Sequence, residues 1–167
     1  MDAFTTPPAP VNEPIEQYAP GSAARARIAD RLAAFAAQGP IDLPSVIGGE
    51  HRMAGGAHIP VVQPHDHAAV LGVTANATHA EARDAVAAAR AAAGEWRALS
   101  FDDRAGVLLK ASEMLSGSWR DTLNAATMLG QSKTVYQAEI DSACELIDFW
   151  RFNVHFARTI LAEQPVS

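Results

Sequence analysis

With 167 residues, 49% of them hydrophobic, and a formal net charge of -6, the chain is long enough to bury a core and is acidic overall. The carboxylate excess repels phosphate backbones, and no basic patch alternates with aromatics, which argues against a nucleic-acid partner. No apolar run approaches the roughly 18 residues that a membrane span needs, so no membrane role is expected.

The opening residues, MDAFTTPPAPVNEP, lack the basic and apolar regions of a secretory leader and the Arg-rich amphipathic pattern of a mitochondrial transit peptide. The single cysteine, Cys144, has no disulfide partner in the chain, which fits a reducing compartment. The cytoplasm is the expected location. Residues 1–20 hold five prolines and few bulky apolar residues, so they read as an extended arm that either waves in solvent or lies along another surface.

Ser22 is expected to cap a helix over about 22–38, with Ile28, Leu32 and Phe35 at helical spacing and Gly39-Pro40 as its stop. From Ile41 to Ala75 helical periodicity disappears, and glycines and prolines punctuate the segment. Val46-Ile47, Ile59–Gln63 and Ala69–Thr74 read as short strands, with Gly55-Gly56 as a hairpin turn. His65 and His67 form an H-x-H pair in this zone. No matched third ligand accompanies them, so they read as loop histidines and no metal is expected.

Thr78 with Glu81 makes a capping box that opens a helix over about 79–98. Its small-residue face, Ala82, Val86, Ala89 and Ala93, suits close packing against another helix. Ser100 with Asp103 opens the next helix, with Ala105, Leu108, Leu109, Ser112 and Leu115 inward and Gly117 as its stop. Trp119–Leu129 forms a further helix ended by Gly130. The layout is mainly α with a short β-hairpin region.

The stretch Ala125–Phe156 organises the rest. Ser132 is the expected N-cap of one long helix running on from Val135. Two apolar stripes follow at helical spacing: Val135, Ala138, Ser142, Leu146, Phe149, Asn153, Phe156, and Tyr136, Ile140, Ala143, Ile147, Trp150, Val154. A helix so apolar is expected to be covered on most sides, yet the other elements supply too little to cover it. Partners from another chain or from the remainder of this one are therefore expected. Asp141, Glu145 and Asp148 are spaced to share a helix face, with Arg151 three residues beyond Asp148. They form either a solvated acidic stripe or a carboxylate that meets a cation in a cavity, and spacing leaves both open. Cys144, mid-helix among small apolar residues, reads as a core residue.

ATMLGQSKTVYQAEID followed by ELIDFWRFN resembles the N-terminal part of the delta-1-pyrroline-5-carboxylate dehydrogenases, also called L-glutamate γ-semialdehyde dehydrogenases, of the aldehyde dehydrogenase superfamily. NEP, YAPGS, LPSVIGG, VVQPHDHAAVLG and NATHAEARDAV extend the resemblance over nearly the whole chain. The resemblance implies an N-terminal fragment of the α/β aldehyde dehydrogenase fold, with residues 1–20 as the arm and 21–167 as part of the dehydrogenase domain. It implies NAD as cofactor, glutamate semialdehyde (pyrroline-5-carboxylate) as substrate, a role in proline catabolism and a homo-oligomer when complete. It also implies that this chain alone is inactive. The nucleophilic cysteine, the general-base glutamate, the Pro-Phe-Asn-Phe run and the Phe-Thr-Gly-Ser turn of the family have no counterpart here. Cys144, Gly48-Gly49-Glu50 and Asn153 lie in the wrong contexts. One position carries over: Glu145 matches a substrate-tunnel glutamate, where its carboxylate would face the α-ammonium of the semialdehyde. The competing expectation is a non-catalytic helical interaction module or truncated remnant that docks through its C-terminal helix.

Overall fold

The computed structural model describes residues 9–166. Residues 9–19 carry neither helix nor strand. Then follow α1 (Ala23–Gln38), β1 (Ile41–Asp42), β2 (Ser45–Ile47), β3 (Glu50–Arg52), β4 (His58–Gln63), β5 (Asp66–Ala75), α2 (His79–Ala98), α3 (Phe101–Ser116), α4 (Arg120–Gln131), α5 (Val135–Ala138), a π-helical turn (Glu139–Cys144) and α6 (Glu145–Ala162).

Local chemistry places most helix starts where the sequence puts them. Ser22 accepts from the Arg25 amide and Ser100 from the Asp103 amide, while Thr78 and Glu81 cap each other's backbone donors. Each supplies an acceptor to amides that the first helical turn leaves unpaired.

The strand region departs from expectation. Gly55-Gly56 does not close a hairpin, because β3 and β4 belong to different sheets. The turn is at Gly48-Gly49, both at positive φ (61° and 84°), and it joins β2 to β3 in antiparallel register. A two-residue turn with positive φ at both positions matches the twist of the strands it joins, and glycine adopts it without strain. The second sheet has the order β1-β5-β4, with β1 parallel to β5 and β4 antiparallel to it. At Gly72 a Cβ would lie 2.5 Å from the Ile41 carbonyl oxygen, so the approach of β1 to β5 needs glycine there.

Two further boundaries are corrected. Gly130 lies inside α4, and the helix ends at Ser132, which adopts the left-handed conformation with φ 55°. Ser132 therefore cannot be an N-cap, which needs extended backbone. That role falls to Thr134, whose Oγ1 accepts from the Gln137 amide while the Gln137 side chain accepts from the Thr134 amide. The helix expected to run unbroken from Val135 is interrupted by the π-helical turn, where the Glu145 amide bonds to the Ile140 carbonyl five residues back.

The main core lies where α3 and α4 meet the π-helical turn and α6. Leu115, Ala143 and Ile147 are buried there, with Leu123, Leu146 and Trp150 packed around them. Of the residues expected inward on α3, Ala105, Ser112 and Leu115 are buried, but Leu108 is exposed. Beyond Cys144 the second apolar stripe of the long helix is covered, and of the first only Leu146 packs on the core. Along the first, Phe149 is 58% and Phe156 52% exposed. On α2, Val86 and Trp96 are likewise exposed, so its small-residue face has no helix against it among the described residues. The uncovered faces are those whose composition calls for a partner.

Candidate functional site: a buried ion cluster beneath Glu145

The π-helical turn opens on Glu139, which has no exposed surface. A carboxylate so buried is tolerated only when its oxygens are fully bonded to donors and its charge is opposed. Both conditions are met. Arg120, the first residue of α4, donates from Nε to Glu139 Oε2 at 3.3 Å and from Nη2 to Oε1. Asn124, one turn along α4, donates to Oε2 at 2.8 Å. The arm supplies the rest: the Tyr18 hydroxyl donates to Oε2 and the Glu16 amide to Oε1, each at 2.8 Å.

Arg120 is itself nearly buried and spends its remaining donors on the arm. Nη1 donates to Glu13 Oε1 at 2.6 Å and Nη2 to the Pro14 carbonyl at 2.8 Å. Glu13 also accepts from Arg151 of α6 at 2.6 Å. Asp148 of α6 accepts from Asn12 and from the Glu13 amide, both at 2.7 Å. Residues 12–18 of the arm are therefore laid along α4, the π-helical turn and α6 by charge-assisted bonds; its first eight residues lie outside the described residues.

The electrostatics follow from the geometry. Burial alone would push the Glu139 carboxyl up, but Arg120, the Glu16 amide and the Tyr18 hydroxyl outweigh it and hold it at about 2. Burial and the neighbouring Glu139 charge raise the Tyr18 hydroxyl above its ordinary range. The same two causes push the Cys144 thiol up to about 12. Cys144 is buried, with Sγ 3.4 Å from Arg120 Nη2. A thiol so far from ionising is no nucleophile at neutral pH, in agreement with its reading as a core residue.

The three carboxylates expected on one face do not share a role. Asp141 pairs with Lys133 at 2.6 Å, Asp148 binds the arm, and Arg151 turns to Glu13 rather than to Asp148. Glu145 stands alone of the three, exposed at the first position of α6, with exposed Phe149 one turn further on. The inserted residue of the π-helical turn shifts the helical phase after Cys144 by about 100°, which separates Asp141 from the other two; Glu145 and Asp148 both lie in α6 and differ because the arm bonds Asp148. His65 and His67 are also apart in role: His65 Nδ1 lies 2.7 Å from Ser132 Oγ, tying the β4–β5 turn to the end of α4.

Sequence reasoning missed Glu139, Arg120, Asn124, Tyr18 and Glu13. Two signals stood in the sequence. Glu139 falls between the two apolar stripes of a helix read as covered, where a charge demands a partner. Arg120 opens a helix, where the macrodipole disfavours a cation unless a carboxylate answers it.

Against this geometry, known proteins are informative. Residues 51–166 match the aldehyde dehydrogenase family. The chain belongs to that family. The delta-pyrroline-5-carboxylate dehydrogenase of Mycobacterium tuberculosis, solved bound with NAD and cobalamin, superposes with a TM-score of 0.95 at 61% identity, over 100% of this chain and 31% of that one. The 1-pyrroline-5-carboxylate dehydrogenase from Thermus with bound NAD gives 0.86 at 28% identity, over 99% of this chain and 31% of that one. The delta-1-pyrroline-5-carboxylate dehydrogenase of Agaricus bisporus is 40% identical over 165 residues, 99% of this chain and 30% of the relative. The chain thus spans about a third or less of these family members and has the fold of a fragment of theirs.

Proposed function

We propose that this chain is the N-terminal portion of an NAD-dependent L-glutamate γ-semialdehyde dehydrogenase of proline catabolism, a homo-oligomer when complete, and that Glu145 is its substrate-recognition residue. The observation that carries the reading is the isolation of Glu145: it is exposed, bonded to no side chain among the described residues, and next to exposed Phe149 on a helix face that those residues leave uncovered. The length of the similar pyrroline-5-carboxylate dehydrogenases, in which this segment is about a third, supports a further portion of chain against that face. A carboxylate closed in there would stabilise the α-ammonium of the semialdehyde, since the attraction strengthens as water is excluded.

NAD, when bound, would supply the hydride acceptor, and the β5–α2 junction offers it no phosphate site. The strand-to-helix junction at β5–α2 is closed by its own Glu81, which accepts from the Thr78 and Gly55 amides at 2.8 Å and 3.0 Å. That carboxylate takes the place a phosphate would occupy at a dinucleotide turn. No step through NAD is assigned to these residues.

In the complete enzyme, Glu145→Ala is expected to lower kcat/KM for the semialdehyde roughly 10- to 100-fold, the cost of losing one charge-assisted contact. Unchanged steady-state constants would end the assignment. The chain by itself, mixed with semialdehyde and NAD, is expected to form no NADH, and NADH at enzyme-like rates would overturn the reading of it as an incomplete catalyst. A non-catalytic module that docks through α6 is the second reading, favoured by exposed Phe149, Phe156, Ile160 and Leu161. Cooperative unfolding of the isolated chain without binding of apolar dyes would favour it, whereas dye binding and aggregation favour the fragment.

A further inference from the structure

The cluster around Glu139 grips the π-helical turn at both ends. At its first residue, Glu139 is bonded by Arg120, Asn124, Tyr18 and the Glu16 amide. At its last residue, Cys144 Sγ lies 3.4 Å from Arg120 Nη2 and 3.9 Å from the Pro14 carbonyl. The next residue is Glu145. A π-turn costs helix hydrogen-bond geometry and survives only where its surroundings hold it. Its loss would wind the helix back by one position and swing Glu145 by about 100°. Just beyond the turn, Asp148 and Arg151 tie α6 to the same arm at Asn12 and Glu13, fixing the helix on the far side of Glu145.

We propose that Arg120, Glu139 and Tyr18, with the arm residues Glu13–Glu16, are positioning residues that hold the π-helical turn and so aim Glu145 at the substrate's ammonium group. This rests on the assignment of Glu145 to the substrate made above. A purely structural cluster would keep the enzyme folded without bearing on which aldehyde it prefers. A positioning cluster sets the preference for an aldehyde that carries an α-ammonium over one that does not.

The test uses the complete enzyme and two substrates: glutamate semialdehyde, and an aliphatic aldehyde of similar length without the amino group. The readout is the ratio of their kcat/KM values, which a loss of folded enzyme leaves constant because it scales both alike. Glu145→Gln is the reference and is expected to lower the ratio at least 10-fold. Glu139→Gln keeps the side-chain shape but removes the charge that holds Arg120, and is expected to lower the ratio 3- to 10-fold, mainly through KM for the semialdehyde. Tyr18→Phe, which deletes one hydroxyl from a half-buried site, is expected to lower it in the same direction and supplies the comparison should Glu139→Gln not fold. If Glu145→Gln leaves the ratio unchanged, the assignment of Glu145 fails and the positioning role with it. If Glu145→Gln lowers the ratio while Glu139→Gln and Tyr18→Phe leave it at the wild-type value, the positioning role alone is overturned.

Discussion

Replacing Arg120 with alanine is expected to destabilise the fold by about 3–5 kcal/mol, the range seen when one partner of a buried ion pair is removed. The loss exceeds that of an ordinary surface arginine because Arg120 answers two carboxylates and a carbonyl from a nearly buried position. Without it Glu139 must either stay buried with its charge unopposed or take up a proton, both at a cost, and Glu13 loses its partner on that side. The remaining donors, Tyr18, Asn124 and the Glu16 amide, bond Glu139 but carry no formal charge. The arm loses two of its anchors at once, at Glu13 and Pro14. Two measurements on the complete polypeptide check this: the denaturant midpoint, and the rate at which a protease cuts within residues 9–20. Arg120→Lys restores a charge but not the fork that bonds several acceptors together, so it is expected to fall between wild type and alanine. A midpoint shift worth less than about 1 kcal/mol, with the arm still protected, would show that the cluster contributes no more than an exposed pair.

Acid should release the arm before it unfolds the rest. The Glu139 carboxyl is held at about 2 in the fold, against an ordinary value of 4.5. A carboxyl whose folded value is depressed binds fewer protons folded than unfolded, so its stabilisation is present above the ordinary value and is lost as pH falls toward the folded one. The window therefore runs from about pH 4.5 down to about pH 2, and the contribution lost across it is on the order of 3 kcal/mol. Stability measured against pH should fall more steeply over this window in the wild type than in Glu139→Gln, which carries no titrating group at that position but keeps other bonded carboxylates such as Glu81. Equal slopes in the two proteins would mean that other carboxylates account for the acid loss.

Legibility in the sequence followed the range of the interactions involved. The caps at Ser22, Thr78–Glu81 and Ser100 each involve residues three apart, and so the starts of α1, α2 and α3 could be read directly. Ser132 and Thr134 are equally plausible caps by residue type. The left-handed backbone at Ser132 excludes it, and Thr134 has the reciprocal glutamine that Ser132 lacks. The glycine pairs at 48–49 and 55–56 look alike in sequence. Only strand pairing shows that the first closes a hairpin while the second lies between two sheets.

Length, charge, helix order and the motif runs ATMLGQSKTVYQAEID and ELIDFWRFN were set by residues and short-range spacing, and they carry the membership in the aldehyde dehydrogenase family. The sequence also held the two apolar stripes of the last helix, of which the second is buried at Ile147 and Val154 while Phe149 and Phe156 of the first are exposed. The tertiary structure alone decided the π-helical turn, the partners of Glu139 and the path of the arm. Tyr18 and Glu139 are 121 residues apart in the chain, and Glu13 and Arg120 are 107 apart. No local spacing rule spans such distances. A buried charge selects its partner by three-dimensional approach, and the one-residue insertion in a helix is stable only once those partners are in place.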